Sequence, residues 1–270
     1  MIGFFDSGVG GLSIYRAVHQ LLPQYATMYA GDNAHVPYGP RTHQQVRQFT
    51  TAIVRFLINH NANPIIIACN TASGASLQYL RNEFPTTHFI GLVPAIKPAA
   101  ETTRTGRIGV LATPGTFRGR LYMQVKTQFA SNVVVYQDTC PGLVEEIENG
   151  RVNQPAARNI LEHALKPMIA MNIDRLVLGC THYPFAAEVI RDIIGDQIEI
   201  IEPGQAIARR TQFIIENNLG LNTPEDNPPH RFLSTGNTAV LTNALACLLG
   251  WHDIQVEPLR WRNGHQVETA

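Results

Sequence analysis

Short β-branched runs alternate with longer amphipathic stretches along almost the whole of this 270-residue chain. Strands of four to six residues separated by single helices can pair only through crossover connections, which give parallel sheets covered by helices. The predicted strands are "IGFF" (2–5), "TMYA" (27–30), "PIIIA" (64–68), "HFIGLV" (88–93), "RIGVLA" (107–112), "NVVVYQ" (132–137), "DRLVLG" (174–179), "IEII" (198–201), "RFLST" (231–235) and "DIQVE" (253–257). Helical periodicity fills the gaps. Leu12, Tyr15, Val18, Leu21 and Leu22 share a face near 10–22, as do Val46, Phe49, Ile53, Phe56 and Leu57 near 44–60. The Pro/Asn-rich "LNTPEDNPPHR" (221–231) reads as a surface loop. The expected class is α/β.

The pattern also repeats. The first half gives a strand, an Asp-Ser-Gly turn, then a strand ending in "CNT"; the second gives a strand, a Thr-Pro-Gly-Thr turn, then a strand ending in "CTH". Asp6 to Cys69 spans 63 residues and Thr113 to Cys180 spans 67. Two similar lobes are therefore expected. Ligands of open α/β sheets bind beyond the carboxyl ends of the strands, so facing lobes would set Cys69 and Cys180 on opposite walls of one cleft.

Composition excludes several classes of partner. Acidic and basic residues balance at 21 each, so no net field draws the chain to nucleic acid or an anionic membrane. No apolar run reaches eighteen residues, and "MIGFFDSGVGG" lacks the basic and apolar regions of a signal peptide. The cysteines, at 69, 140, 180 and 247, are never in CxxC spacing. A disulfide framework is not expected, and a reducing cytoplasm is.

Cys140 and Cys247 read as buried structural thiols. Cys69 and Cys180 each leave a strand where a helix is expected to begin, and helix amides lower a thiol pKa. His182 could add positive charge or pass a proton. A metal bound by Cys69, Cys180 and His182 is the weaker reading, because the spacing is wrong and no further ligand cluster exists. Two thiols facing one carbon suit a reaction in which one removes a proton and the other returns it to the opposite face.

The turn "FFDSGVGGLS" (4–13) lacks the spacing of a phosphate cradle. It is a strand-to-helix turn capped by Asp6 or Ser7; these two could also grip an ammonium group, while free backbone amides hold a carboxylate. In "GDNAHVPYG" (31–39), Asp32 leaves a strand, and Pro37 and Gly39 shape a turn around Tyr38. Thr113, Gly115 and Thr116 form either an anion site or a simple cap. Glu145, Glu146 and Glu148 read as a solvated helix face. His35, His43 and His60 read as surface or structural groups.

With "FDSGVGG", "GDNAHVPYG", "ACNTAS" and "LGCTHYP" in that order, supported by "IGVLATPGT" and "GQAIARR", the chain resembles the glutamate racemases over residues 2–260. The resemblance implies two pseudo-symmetric α/β lobes, 1–93 with 206–270 and 94–205, the second inserted into the first, with the active site in the cleft between them. It implies cofactor-independent interconversion of L- and D-glutamate, supplying D-glutamate for peptidoglycan in the cytoplasm, by a homodimer. Cys69 would deprotonate D-glutamate and Cys180 L-glutamate, with Asp6, Asp32, Glu148 and His182 as auxiliary acid/base groups. Asp6 with Ser7, Pro37 with Tyr38 and Gly39, Asn70 with Thr71, the Thr113–Gly115–Thr116 turn, and Thr181 with His182 match substrate-binding positions. Lys97, Lys126 and Lys166 lie outside every motif, so a pyridoxal Schiff base has no anchor.

The family commonly has "GDTARVPYG" where this chain has Asn33 and His35. "GLVPAIKPAAE" also lacks an acid-proline step often seen there. The chain starts at its first strand, so activation by a cell-wall precursor through an N-terminal extension is not expected. An aspartate racemase is the nearest rival reading. A non-catalytic gyrase-binding protein is the rival of another class, without support from the charge balance.

Overall fold

The computed structural model describes residues 1–220 and 229–269. Among the described residues, eleven strands form two sheets. The first holds β1 (Ile2–Asp6), β2 (Thr27–Gly31), β3 (Ile65–Ile67), β4 (Phe89–Gly91), β9 (His230–Ser234), β10 (Val256–Arg262) and β11 (Gln266–Thr269). Its order is β11-β10-β9-β2-β1-β3-β4. The second, from β5 (Arg107–Leu111), β6 (Val134–Asp138), β7 (Arg175–Leu178) and β8 (Glu199–Ile201), runs β6-β5-β7-β8. All pairings are parallel except that of β10 with β11. The order β2-β1-β3-β4 repeats as β6-β5-β7-β8, so the expected duplication is a duplication of topology.

The inner strands of each sheet are buried on both faces. Phe4 and Ile66 pack with Leu12, Tyr15 and Val18 of the helix Leu12–Leu21 on one side of the first sheet. Phe5 and Ile67 pack with Val46, Ile53 and Leu57 of the helix His43–Asn59 on the other. The alternation of successive residues between two apolar layers is the strand period of two. The second sheet divides likewise, Leu176 and Leu178 facing one layer and Val177 the other. Caps define the helix starts. Thr42 accepts from Gln45 N–H and the Gln45 side chain accepts from Thr42 N–H, a reciprocal box; Thr113 caps Pro114–Arg118 with proline at its first position.

Register places the chemistry. Asp6 pairs with Gly31 and Phe5 with Ile67, so Asp6, Asp32 and Cys69 leave the first sheet at one carboxyl edge. Leu111 pairs with Leu178, which brings Thr113 and Cys180 to the matching edge of the second.

Four sequence expectations need correction. The last predicted strand, 253–257, begins at Val256 and runs to Arg262. β11 was not anticipated, although Asn263 and Gly264, at φ 49° and 72°, are the turn signal that folds it back. Cys247 is exposed, not buried. Leu241 and Leu245 point inward from the helix Thr238–Leu249, and a residue two beyond Leu245 faces away from that stripe. Leu21, expected inside, is 38% exposed. The loop expected at 221–231 lies outside the described residues up to 228; His230 and Arg231 begin β9.

Asp174, buried just ahead of β7, ties the approach to β5 into the second sheet. Its carboxylate accepts from the Thr103 hydroxyl at 2.5 Å, Arg104 N–H at 2.6 Å, the Thr105 hydroxyl at 3.2 Å and the Arg175 guanidinium at 3.3 Å. Burial alone would raise its pKa, but these donors and the Arg175 charge outweigh it and hold the carboxyl below its usual range. A depressed folded pKa stabilises above the unfolded value and is lost as pH falls through the folded one. Asp174→Asn should therefore lower the unfolding free energy at pH 7 by about 2 kcal/mol in a urea titration. The gap to wild type should narrow below about pH 4; a gap that persists in acid would assign the loss to packing instead.

Candidate active site

The turn after β1 is shaped by the lobe opposite. Asp6, fully buried, accepts from Gly8 N–H at 3.1 Å and Gly11 N–H at 3.0 Å, and its other oxygen is 3.5 Å from the Thr181 hydroxyl. Val9 N–H donates to Glu148 Oε1 at 2.8 Å. The amides of Gly8, Val9 and Gly11, which sequence reasoning left free for a ligand carboxylate, are thus occupied by the protein's own carboxylates. The glycines have a steric reason. A Cβ on Gly8 would lie 2.0 Å from Glu148 Oε1, and one on Gly10 would lie 2.4 Å from His182 Nδ1. Burial lifts the Asp6 pKa; the His182 charge and the Gly11 and Gly8 amides oppose it without cancelling it, and Glu148 adds to the rise.

Cys69 follows β3 and caps the helix Asn70–Glu83, its Sγ accepting from Ala72 N–H at 3.4 Å. The thiol lies 3.7 Å from Ser7 Oγ. The expected depression of its pKa is overturned. Burial, then the Asp6 charge, push the thiol up, against the Ala72 amide and the Ser7 hydroxyl, with Cys180 adding a further rise. Asn70 is buried, and neither its Nδ2 nor its Oδ1 has a hydrogen-bond partner. Buried amides are seldom left this way. Thr71 Oγ1 meets Thr113 Oγ1 at 2.7 Å across the lobes, and Thr113 Oγ1 meets Thr116 Oγ1 at 3.0 Å.

The second cysteine is surrounded differently. Cys180 follows β7, but a 3₁₀ turn, Tyr183–Ala186, comes next, and the α-helix starts only at Ala187. The helix-terminus argument therefore applies to Cys69 alone. Cys180 Sγ instead lies 3.7 Å from His182 Nδ1, and His182 Nε2 is 2.6 Å from Glu148 Oε1. Burial would lower the His182 pKa, but the hydrogen bonds to Cys180 and Glu148 and the charges of both raise it well above the ordinary imidazole value. His182 thus stands between Glu148 on one ring nitrogen and the Cys180 sulfur on the other.

Both thiols line one cavity between the lobes, with Ser7, Pro37, Tyr38, Gly39, Asn70, Thr71, Thr113, Thr116, Val144, Thr181 and His182. The cavity is about 20 Å³, room for about one water. Asp6, Asp32, Glu148 and Gly115, expected in the site, stand behind its wall. Asp32 is fully buried and accepts from the hydroxyls of Tyr38 and Thr235, both at 2.6 Å, and from the Trp261 indole at 3.0 Å, with His35 Nδ1 at 2.9 Å. It holds Tyr38, whose pKa burial and the Asp32 charge raise well above the usual value. Gly115 gives room to Thr71, whose Cγ2 would be 2.7 Å from an added Cβ. Sequence reasoning missed Val144, which lies one helical turn from Glu148, and the roles of Thr235 and Trp261, whose distance along the chain hid their contact with Asp32. Glu148, read from sequence as part of a solvated face, has a nearly buried side chain at 9% exposure.

The chain was compared with known proteins. The family model for Asp/Glu/hydantoin racemases matches residues 2–211. A glutamate racemase of Pseudomonas aeruginosa is 42% identical over 249 residues, 92% of this chain and 94% of that protein. One from Deinococcus radiodurans is 41% identical over 92% of this chain and 86% of its own length. Among solved structures, a glutamate racemase of Bacillus anthracis superposes with TM-score 0.84 at 31% identity, covering 98% of each chain. The Francisella tularensis glutamate racemase in complex with D-glutamate gives 0.84 at 29%, over 95% of this chain and 96% of that one. An aspartate racemase of Picrophilus torridus, at 0.53 and 16% over 83% and 95%, shares the fold alone. The chain belongs to the Asp/Glu/hydantoin racemase family of isomerases.

Proposed function

We propose that the protein interconverts L- and D-glutamate by proton transfer at the α-carbon between Cys69 and Cys180, without a cofactor. The observation that carries this reading is that two thiols, delivered by equivalent strands of duplicated sheets, line one narrow cavity. Cys180 takes the proton from L-glutamate and Cys69 returns one to the other face; the reverse reaction exchanges the roles. The glutamate racemases of Francisella tularensis and Escherichia coli, solved with D-glutamate and with L-glutamate, support the substrate. The unpartnered Asn70 amide supplies a donor and an acceptor for the α-carboxylate and α-ammonium groups, and the Ser7, Thr71 and Thr181 hydroxyls flank it.

The two thiols have different surroundings. His182 Nδ1, 3.7 Å from Cys180 Sγ, is placed to exchange a proton with that sulfur. Cys69, with burial and Asp6 against it, stays protonated until a cation arrives. The substrate's ammonium group is that cation. A site of about 20 Å³ cannot admit glutamate without the lobes parting, and their closing again excludes water from a developing carbanion. Four widely spaced free cysteines suit a cytoplasmic setting, where the product would serve peptidoglycan synthesis.

Replacing either thiol, Cys69→Ser or Cys180→Ser, should cut racemisation by at least ~100-fold, the scale of a lost general acid or base, read by circular dichroism of L- and D-glutamate with aspartate as control. Near-wild-type rates in either variant would refute the assignment. In deuterium oxide the wild type should place solvent deuterium at the glutamate α-position, and retention of the original hydrogen would rule out exchange through thiols. Gly8→Ala should slow racemisation by ~10-fold or more because its Cβ would meet Glu148 on closure, while far-ultraviolet circular dichroism stays native. An unimpaired variant would show that this turn does not face Glu148 during turnover.

A further inference from the structure

Asn33 is one of the two departures from the family's "GDTARVPYG" pattern, and its surroundings fix which way its amide points. Gly236 N–H donates to Ser234 Oγ at 3.2 Å, which leaves the serine's own hydrogen for Asn33 Oδ1, 2.9 Å away. With Oδ1 engaged as an acceptor, Nδ2 is the atom turned toward Glu148, 3.3 Å from Oε2. The other Glu148 oxygen takes Val9 N–H and His182 Nε2–H. A continuous series of contacts thus runs from Ser234, at the end of β9, through Asn33, across the cleft to Glu148 and His182, and ends on Cys180. Among the described residues Cys69 has no such series: its polar contacts are Ala72 N–H and Ser7.

We propose that Asn33 is a positioning residue for the Cys180 half of the reaction, fixing Glu148 from the opposite lobe so that His182 is aimed at the Cys180 sulfur when the lobes are closed. A carboxylate held through one oxygen can still turn about its last bond. A donor on the second oxygen fixes its plane, and with it the imidazole that depends on it. Opening the lobes removes Val9 and Asn33 from Glu148 together, so the Cys180 proton relay is complete only around an enclosed ligand. The proposal rests on the two-thiol reading above and adds an asymmetry to it.

Enantiomers have equal free energy, so a variant must change kcat/KM equally in both directions. The asymmetry appears instead in isotope effects. With Asn33→Ala, kcat/KM should fall ~10-fold, the scale of a lost hydrogen bond to a charged group. The primary isotope effect should rise with α-deuterated L-glutamate, the enantiomer assigned to Cys180, and shrink with α-deuterated D-glutamate. Asn33→Asp keeps the shape and the acceptor for Ser234 but sets a second carboxylate against Glu148, so it should be worse than Asn33→Ala. If Asn33→Asp is the milder variant, or if both isotope effects move alike, Asn33 is packing only and the proposal fails. If the wild type exchanges the α-hydrogen of both enantiomers and the Asn33 variants match it, this proposal alone falls. If the wild type exchanges neither, the two-thiol reading falls and takes this one with it.

Discussion

A carboxylate buried between two lobes must be met by donors from both, and Glu148 is met by Val9 and Asn33 on one side and His182 on the other. That requirement accounts for much around it. The turn after β1 carries Gly8 and Gly10 because side chains there would overlap Glu148 and His182. The amides of that turn serve Asp6 and Glu148, so the turn works as a contact surface between lobes. The same contact narrows the cleft to a space of about 20 Å³ lined by both thiols.

Duplicated sheets deliver the two cysteines to equivalent places, but the surroundings are not duplicated. Cys69 caps a helix, and Asp6 opposes its ionisation. Cys180 precedes a 3₁₀ turn and has His182 instead. The two sulfurs therefore differ in their neighbours although they leave equivalent strands.

Much of this was legible in the chain. Strand and helix alternation survives as the sheets themselves, since short β-branched runs buried on both faces have few other structures open to them. The cavity wall was also legible where it is local: Cys69, Asn70 and Thr71, or Cys180, Thr181 and His182, arrive together because each trio leaves one strand. What depends on contacts between distant segments was not. Asp32 lies behind Tyr38 because Thr235 and Trp261, some two hundred residues later, reach it. Glu148 is enclosed because a turn at Gly8–Gly10 closes over it. The exposed Cys247 shows the same limit on a smaller scale, since which face of a helix is buried depends on what packs against it.

By itself, then, the sequence determined the periodicities, the strand-exit positions of both thiols and the absence of a lysine anchor in any motif, because each is a property of neighbours along the chain. Tertiary structure alone decided that the acids stand behind the cavity wall, which amides remain free, and which thiol has a histidine beside it. Those are questions of burial and charge across the cleft. Distances between residues far apart in the chain settle them, and such distances exist only once both lobes have folded and met.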